Sequence, residues 1–243
     1  MDRPKPFLTA QWRNLAILNF EIAREILEPF VPPGTVLDTY KGKAYVSVVG
    51  FLFQDTRLKG VPIPFHRNFE EVNLRFYIRH FSGEDWRRGV VFIKEIVSSV
   101  AIAATARIVY NENYVVMEMG HRVEKLHGSD RLSVGYRWRL REKWNYLQAI
   151  AGGEPLDPAP GSLEEFITDH HWGYTRQRDG SCIEYHVEHP RWPVRRATEY
   201  VFECDVGAIY GGEFVPALSA APASAFLIEG SAVTVHQGHT CGV

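Results

Sequence analysis

The residues best suited to chemistry in this chain are a lysine and a pair of carboxylates set in apolar strands. Lys94 and Glu95 stand in the middle of "VVFIKEIV", residues 90–97, which otherwise holds branched and aromatic residues that favour a buried strand. Strand neighbours point to opposite faces, so strict alternation groups Val90, Phe92, Lys94 and Ile96 on one side and Val91, Ile93, Glu95 and Val97 on the other. A lysine beside Phe92 on the inner face of a closed sheet loses hydration, which disfavours its charged form. Lowered from about 10.4 to near neutrality, at about 4 to 5.5 kcal/mol of differential destabilisation, it becomes an amine nucleophile. The residues leave a second reading open, in which Lys94 stays an ammonium in an internal ion pair with Glu70 or Glu71 of the neighbouring strand.

The elements that must position these groups are mostly strands. "EEVNLRFYIR" alternates Val72, Leu74, Phe76 and Ile78 against Glu71, Asn73, Arg75, Tyr77 and Arg79, and the polar turn "SGEDWRRG" joins it to residues 90–97 as an antiparallel hairpin. "KAYVSVVGFLF" is apolar on both faces, as a strand of a closed barrel or covered sheet is. "VGYRWRL" with "WNYLQAIA", and "WGYTRQ" with "CIEYHVEH", read as two more hairpins, and "RATEYVFECDV" and "SAVTVHQG" as further strands. Helical spacing over Phe20 to Leu27 predicts a short helix stopped by "EPFVPPG". Ser98 or Ser99 predicts another before Asn111 to Asn113, and Ser162 with Glu165 has capping-box spacing for a third. The whole is a mostly β chain with a few helices (α+β), closed as a curved sheet or barrel that hides its edges.

Composition narrows the classes. With 243 residues, 45% of them hydrophobic, and no linker dividing the chain, residues 1–243 read as one globular domain. A net charge of −2 argues against nucleic acid as a partner. The longest apolar run covers residues 44–53, where a membrane span needs about twenty, and the first residues lack a signal-peptide core, so a cytoplasmic protein away from membranes is expected. Cys182, Cys204 and Cys241 are widely spaced without a C-x-x-C pair and read as reduced structural thiols. "YHVEH", "HQGH" and "DHH" lack metal spacing, and the imidazoles of "DHH" suit the negative end of a helix, so no metal and no cofactor is expected. Arg137, Arg139 and Arg141 in "YRWRLR" read as a solvated strand face. The phosphate and nucleophile-elbow motifs are absent, so chemistry must come from scattered strand residues.

"WRNLAILNFEIAREILEPFVPPGTVLD", "GKAYVSVVGFLF", "IPFHRNFEEVNLRFYIR", "GVVFIKEIV", "ARIVYNENY" and "EHPRWPV" together closely resemble the bacterial YqjF-like family, a domain of unknown function. The resemblance implies the acetoacetate decarboxylase-like fold, a closed or cone-shaped β-barrel with helices outside and a cavity within. It carries Lys94 onto the Schiff-base lysine of the decarboxylases, Glu70 or Glu71 onto a strand-opening carboxylate, and Arg13, counted back from Val31-Pro32, onto a substrate-orienting arginine. Asn73 and Phe92 join Arg13 as expected substrate contacts. Two positions depart from the decarboxylases: Glu95 replaces a second lysine, and the strand at 43–53 offers Ser47 in place of a carboxylate. Lysine activation by desolvation or a cationic neighbour is the known device of acetoacetate decarboxylase. Glu95 supplies no such cation.

The expectation is therefore a cavity for a small carbonyl or carboxylate compound. In its active form Lys94 makes an iminium with a keto acid, Arg13 orients the carboxylate, and Glu70 or Glu71 relays a proton, as in a decarboxylase-like lyase. The alternative is a noncatalytic ligand-binding barrel with a fixed Lys/Glu network. Relatives with this fold commonly form homo-oligomers.

Overall fold

The computed structural model describes residues 6–63, 66–100 and 113–241. Sixteen strands appear among them: β1 (Pro6–Ile22), β2 (Thr35–Leu37), β3 (Ala44–Leu58), β4 (Val61–Pro62), β5 (Phe69–Phe81), β6 (Trp86–Val97), β7 (Tyr114–Val116), β8 (Glu118–Lys125), β9 (Leu132–Leu140), β10 (Lys143–Ala151), β11 (Trp172–Arg176), β12 (Cys182–Glu188), β13 (Arg195–Arg196), β14 (Glu199–Glu203), β15 (Ser224–His236) and β16 (His239–Thr240). Four short helices accompany them: α1 (Arg24–Leu27), α2 (Leu163–Thr168), α3 (Val206–Ile209) and α4 (Val215–Leu218). The chain is mostly β, with strands closing into a ring.

The ring runs β15, β1, β3, β5, β6, β11, β12 and back to β15. Its long contacts are antiparallel. Its weakest seams are the two-residue parallel match of β6 with β11 and the two-residue match of β12 with β15. A second antiparallel sheet, in the order β14, β10, β9 and β8, covers the outside of β1, β3 and β5.

Between the layers lies an apolar core in which Leu18, Val48, Leu74 and Phe76 meet Tyr136, Trp138 and Leu147. The approach is close at Gly50: a Cβ there would lie 2.5 Å from the Tyr136 ring. Tyr136 then reaches the bulge of β1, where its hydroxyl donates to the Asn14 carbonyl at 2.7 Å.

Several expectations shift once tertiary pairing is seen. Phe20 and Ile22 belong to β1, matched with Val46 and Ala44 of β3, and only Arg24–Leu27 turns helical. Phe20 and Ile22 share one buried face with exposed Glu21 between them, and their pairing with β3 overrides the local helical spacing. The strand expected through "RATEYVFECDV" stops at Glu203, because Asp205 caps α3 by accepting from the Ala208 amide at 3.3 Å. Ser162 caps α2 as its spacing predicts, accepting from the Glu165 amide at 3.2 Å, while the Glu165 carboxylate takes the Gly161 amide instead of closing the box. Most of the helix expected after Ser98 or Ser99 lies outside the described residues.

Candidate functional site

The β5 and β6 pair decides what the inside of the ring contains. Directly opposed residues of an antiparallel pair share a face. Phe92 stands opposite Arg75, but the next matched pair is Lys94 with Leu74, and Ile93 is left over as a bulge. One extra residue reverses the alternation from there on. Lys94 and Ile96 go to the outer layer with Leu74 and Val72, while Glu95 faces inward opposite Asn73. Asn113 secures the bulge by donating its side-chain amide to the Ile93 carbonyl at 2.9 Å, and its own carbonyl accepts from the Glu95 amide at 3.1 Å.

The ring encloses a cavity of about 110 Å³. Its walls are largely aromatic, with Trp12, Phe51, Phe53, Phe69, Phe92, Trp172, Tyr185 and Trp192 contributed by several strands and the segment after β12. Tyr185 lies across Gly173, where a Cβ would fall 2.2 Å from its ring, so the glycine makes room for that wall.

The polar lining is concentrated on the inner face of β5 and its neighbours: Glu71, Asn73, Arg75, Glu95, Tyr114 and His170. Asn73 donates to Glu71 at 2.8 Å, and the Tyr114 hydroxyl donates to the other Glu71 oxygen at 3.2 Å. Below them a buried network of Asn19, Ser47, Tyr77 and Ser224 is closed at 2.5–2.9 Å. Ser47, at the position where a further carboxylate is missing, is thus a structural hydroxyl.

Arg75 and His170 differ from the rest. The half-buried Arg75 guanidinium makes one long hydrogen bond, to the Ile167 carbonyl at 3.5 Å, and stacks over Tyr77. It has no carboxylate partner among the described residues, and its Nε is buried without a hydrogen bond. His170 follows α2 and is 8% exposed, held between Tyr77 and Phe166 with ring centroids 4.7 and 5.7 Å away. Neither ring nitrogen makes a hydrogen bond of ordinary geometry. Burial, then the positive charges of Arg88 and Arg75, hold its pKa well below the usual imidazole range, against a smaller pull from the Ile167 carbonyl. It is a neutral imidazole at pH 7. The helix-end role read from "DHH" does not describe it, since the side chain turns into the cavity.

Of the residues singled out from sequence, Glu71, Asn73 and Phe92 line this cavity, and Lys94, Glu70 and Arg13 do not. Lys94 donates to the carbonyl of Ile209 at the end of α3, a site that suits an ammonium. Burial lowers its pKa, the direction expected from sequence, yet no carboxylate pairs with it among the described residues, so the Lys/Glu network is not formed there. Glu70 points outward to Ser98 and His121, at 2.9 and 2.7 Å. Burial acts to raise its carboxyl, but the hydrogen bonds from His121 and Ser98 outweigh this and leave it below the ordinary value. Arg13 donates to the Gly230 carbonyl at 3.3 Å and to Gln11 at 2.9 Å, and lies 3.8 Å from exposed Glu229.

Sequence reasoning missed Arg75, Glu95 and His170 as cavity residues. Arg75 had a usable signal, since it shares the face of Glu71 and Asn73 by simple alternation. Among the described residues no group of three or more His, Cys, Asp or Glu side chains is placed to hold a metal, and no helix is long and apolar enough to cross a membrane. Arg137 and Arg139 are exposed on β9, resting on Trp144, with Arg139 also 3.2 Å from Glu118.

The ring, its covering sheet and its inner cavity define an acetoacetate decarboxylase-like fold. The chain is similar in structure to the acetoacetate decarboxylase of Legionella pneumophila (TM-score 0.67, 13% identity, covering 98% of this chain and 88% of that one). It is also similar to the enduracididine biosynthesis enzyme MppR complexed with pyruvate (TM-score 0.65, 12% identity, covering 100% and 92%). At such identities the likeness is one of fold. Residues 9–232 match the DUF2071 family, described as an uncharacterized conserved protein, and the chain belongs to that family. It is 26% identical over 187 residues to the uncharacterized protein YqjF of Bacillus subtilis strain 168, covering 76% of this chain and 74% of that protein.

Proposed function

We propose that the protein binds a small organic acid, about the size of pyruvate, in the ring cavity and holds it without a covalent bond to Lys94. The observation that carries this reading is Arg75, a cavity guanidinium with no carboxylate partner among the described residues. Its planar fork matches a carboxylate through two parallel hydrogen bonds. Neutral His170 offers the bound molecule one N–H and one lone pair, and the aromatic walls keep water from competing.

The cavity of about 110 Å³ suits a compact ligand, given that an apolar cavity of about 150 Å³ takes benzene. A solved structure of similar fold holds pyruvate, which supports the same ligand class here by analogy. A lyase step through an iminium needs an amine in the cavity, and the β6 register turns Lys94 away from it. Any proton transfer inside falls to Glu71, Glu95, His170 or His189. Within this reading the protein is a single-domain cytoplasmic protein that assembles with copies of itself and binds neither nucleic acid nor metal.

Titration calorimetry of the full chain with pyruvate and a panel of small 2-oxo acids tests the reading. Binding is expected in the wild type, and Arg75→Ala should weaken it at least tenfold, about 1.4 kcal/mol. Borohydride added to the saturated protein should leave Lys94 unmodified on peptide mapping. A reduced adduct at Lys94, equal affinity in Arg75→Ala, or no binding across the panel each overturns it.

A further inference from the structure

Far apart in sequence, Cys182 and Cys241 meet at the edge of the ring. β12 pairs with β16 through Ile183 opposite Thr240 and Glu184 opposite His239. One step further along that register puts Cys182 opposite Cys241, and the Cys241 amide donates to the Cys182 carbonyl at 2.9 Å. Directly opposed antiparallel residues have Cα atoms about 4.5 to 5.5 Å apart. That spacing falls inside the span of about 4.4 to 6.8 Å that a disulfide bridges without moving the backbone. The two sulfurs face one another, both residues are 4% exposed, and Cys204 lies elsewhere, at the end of β14.

We propose that Cys182 and Cys241 are a reversible redox pair, closed by a peroxide into a disulfide that clasps the C-terminal strand β16 onto β12. The Cys182 thiolate attacks hydrogen peroxide, the O–O bond breaks, and hydroxide leaves and takes up the thiol's proton as water. Cys182 is then a sulfenic acid. The Cys241 sulfur displaces its oxygen, forming the S–S bond as the departing hydroxide takes the second thiol proton. Two thiols and one peroxide give one disulfide and two waters. A dithiol reductant returns both electrons and both protons.

The order of attack follows from the contact itself. The hydrogen bond from Cys241 holds the Cys182 thiol below its ordinary pKa against the effect of burial, while the same contact raises Cys241. Cys182 is the nucleophile and Cys241 the resolving thiol. The clasp fixes the outer edge of the strand that carries Tyr185 and Val187 into the cavity wall.

The test uses the full chain, reduced, exposed to hydrogen peroxide, quenched by alkylation and mapped under non-reducing conditions. The expected result is a peptide cross-linked through Cys182 and Cys241, with Cys204 still alkylated and the cross-link lost on adding dithiothreitol. The oxidised protein should melt roughly 10 °C above the reduced one, and this difference should vanish in Cys182→Ser/Cys241→Ser. Full alkylation of Cys182 and Cys241 after peroxide, or a cross-link that involves Cys204, overturns the proposal. Because the primary readout is on the wild-type chain, a poorly folded variant does not blunt it.

Discussion

The two faces of β5 are built on different plans. The middle of its outer face, Val72, Leu74, Phe76 and Ile78, is fully buried and apolar, with the polar Glu70 and His80 only towards its ends. Its inner face is as dry at Glu71, Asn73 and Tyr77 but carries acid, amide, guanidinium and phenol groups around an open space. Interdigitated apolar packing stabilises a fold and leaves nothing for a ligand. Polar groups around a cavity cost stability and supply recognition. A strand hydrophobic on one side and mixed on the other normally has water beyond the mixed side; here that side is the interior.

The contrast breaks most visibly on the outer face. Trp138, 0% exposed between the layers, should cost about 3 to 5 kcal/mol when replaced by Ala, read as a lower urea midpoint with its slope unchanged. If that loss is under about 1 kcal/mol, the covering sheet is not part of the cooperative core.

A smaller effect, of opposite character, belongs to His170. Its folded pKa lies below the unfolded value near 6.5, so the unfolded chain takes up the proton first. The stability this imidazole contributes is complete above pH 6.5 and is lost as pH falls towards its folded pKa. His186 and His189 are lowered too, chiefly by burial, and add to the slope. Between pH 7.5 and 5.5, His170→Leu should lose about 1 kcal/mol less than wild type in paired denaturation curves. Identical slopes would show that His170 titrates in the fold as it does in the unfolded chain.

The smallest effect is expected at Lys94, which packs on the outer layer yet is half-exposed. Lys94→Met should change stability by no more than about 1 kcal/mol and leave pyruvate affinity unaltered. A variant that keeps its fold but loses the ligand would move the amine back towards the cavity.

Much of the fold was legible because β5, the turn between β9 and β10, and the Ser162 cap each follow local rules. The site was less so. Period-two reading of β6 placed Lys94 beside Phe92, and nothing in "VVFIKEIV" marks the bulge, since Ile93 is neither glycine nor a turn former. Its cause is tertiary, visible only when Asn113 of another segment takes the Ile93 carbonyl. Arg75 was readable as a neighbour of Glu71. His170 was not, because the direction of a side chain just beyond a helix end depends on what packs above it. Cys182 and Cys241 look unrelated until the register of β12 with β16 brings them together.

The bulge at Ile93 makes the character of the cavity a matter of parity. Drawn straight at the same length, β6 would set Lys94 opposite Asn73 and turn Glu95 out. Shortened by Ile93 alone, it would become regular and keep Glu95 inside. Identical side chains thus offer the interior either a base or an acid according to an odd or even count. In the gene that difference is one codon, and it alters the chemistry of the site without replacing a single functional residue.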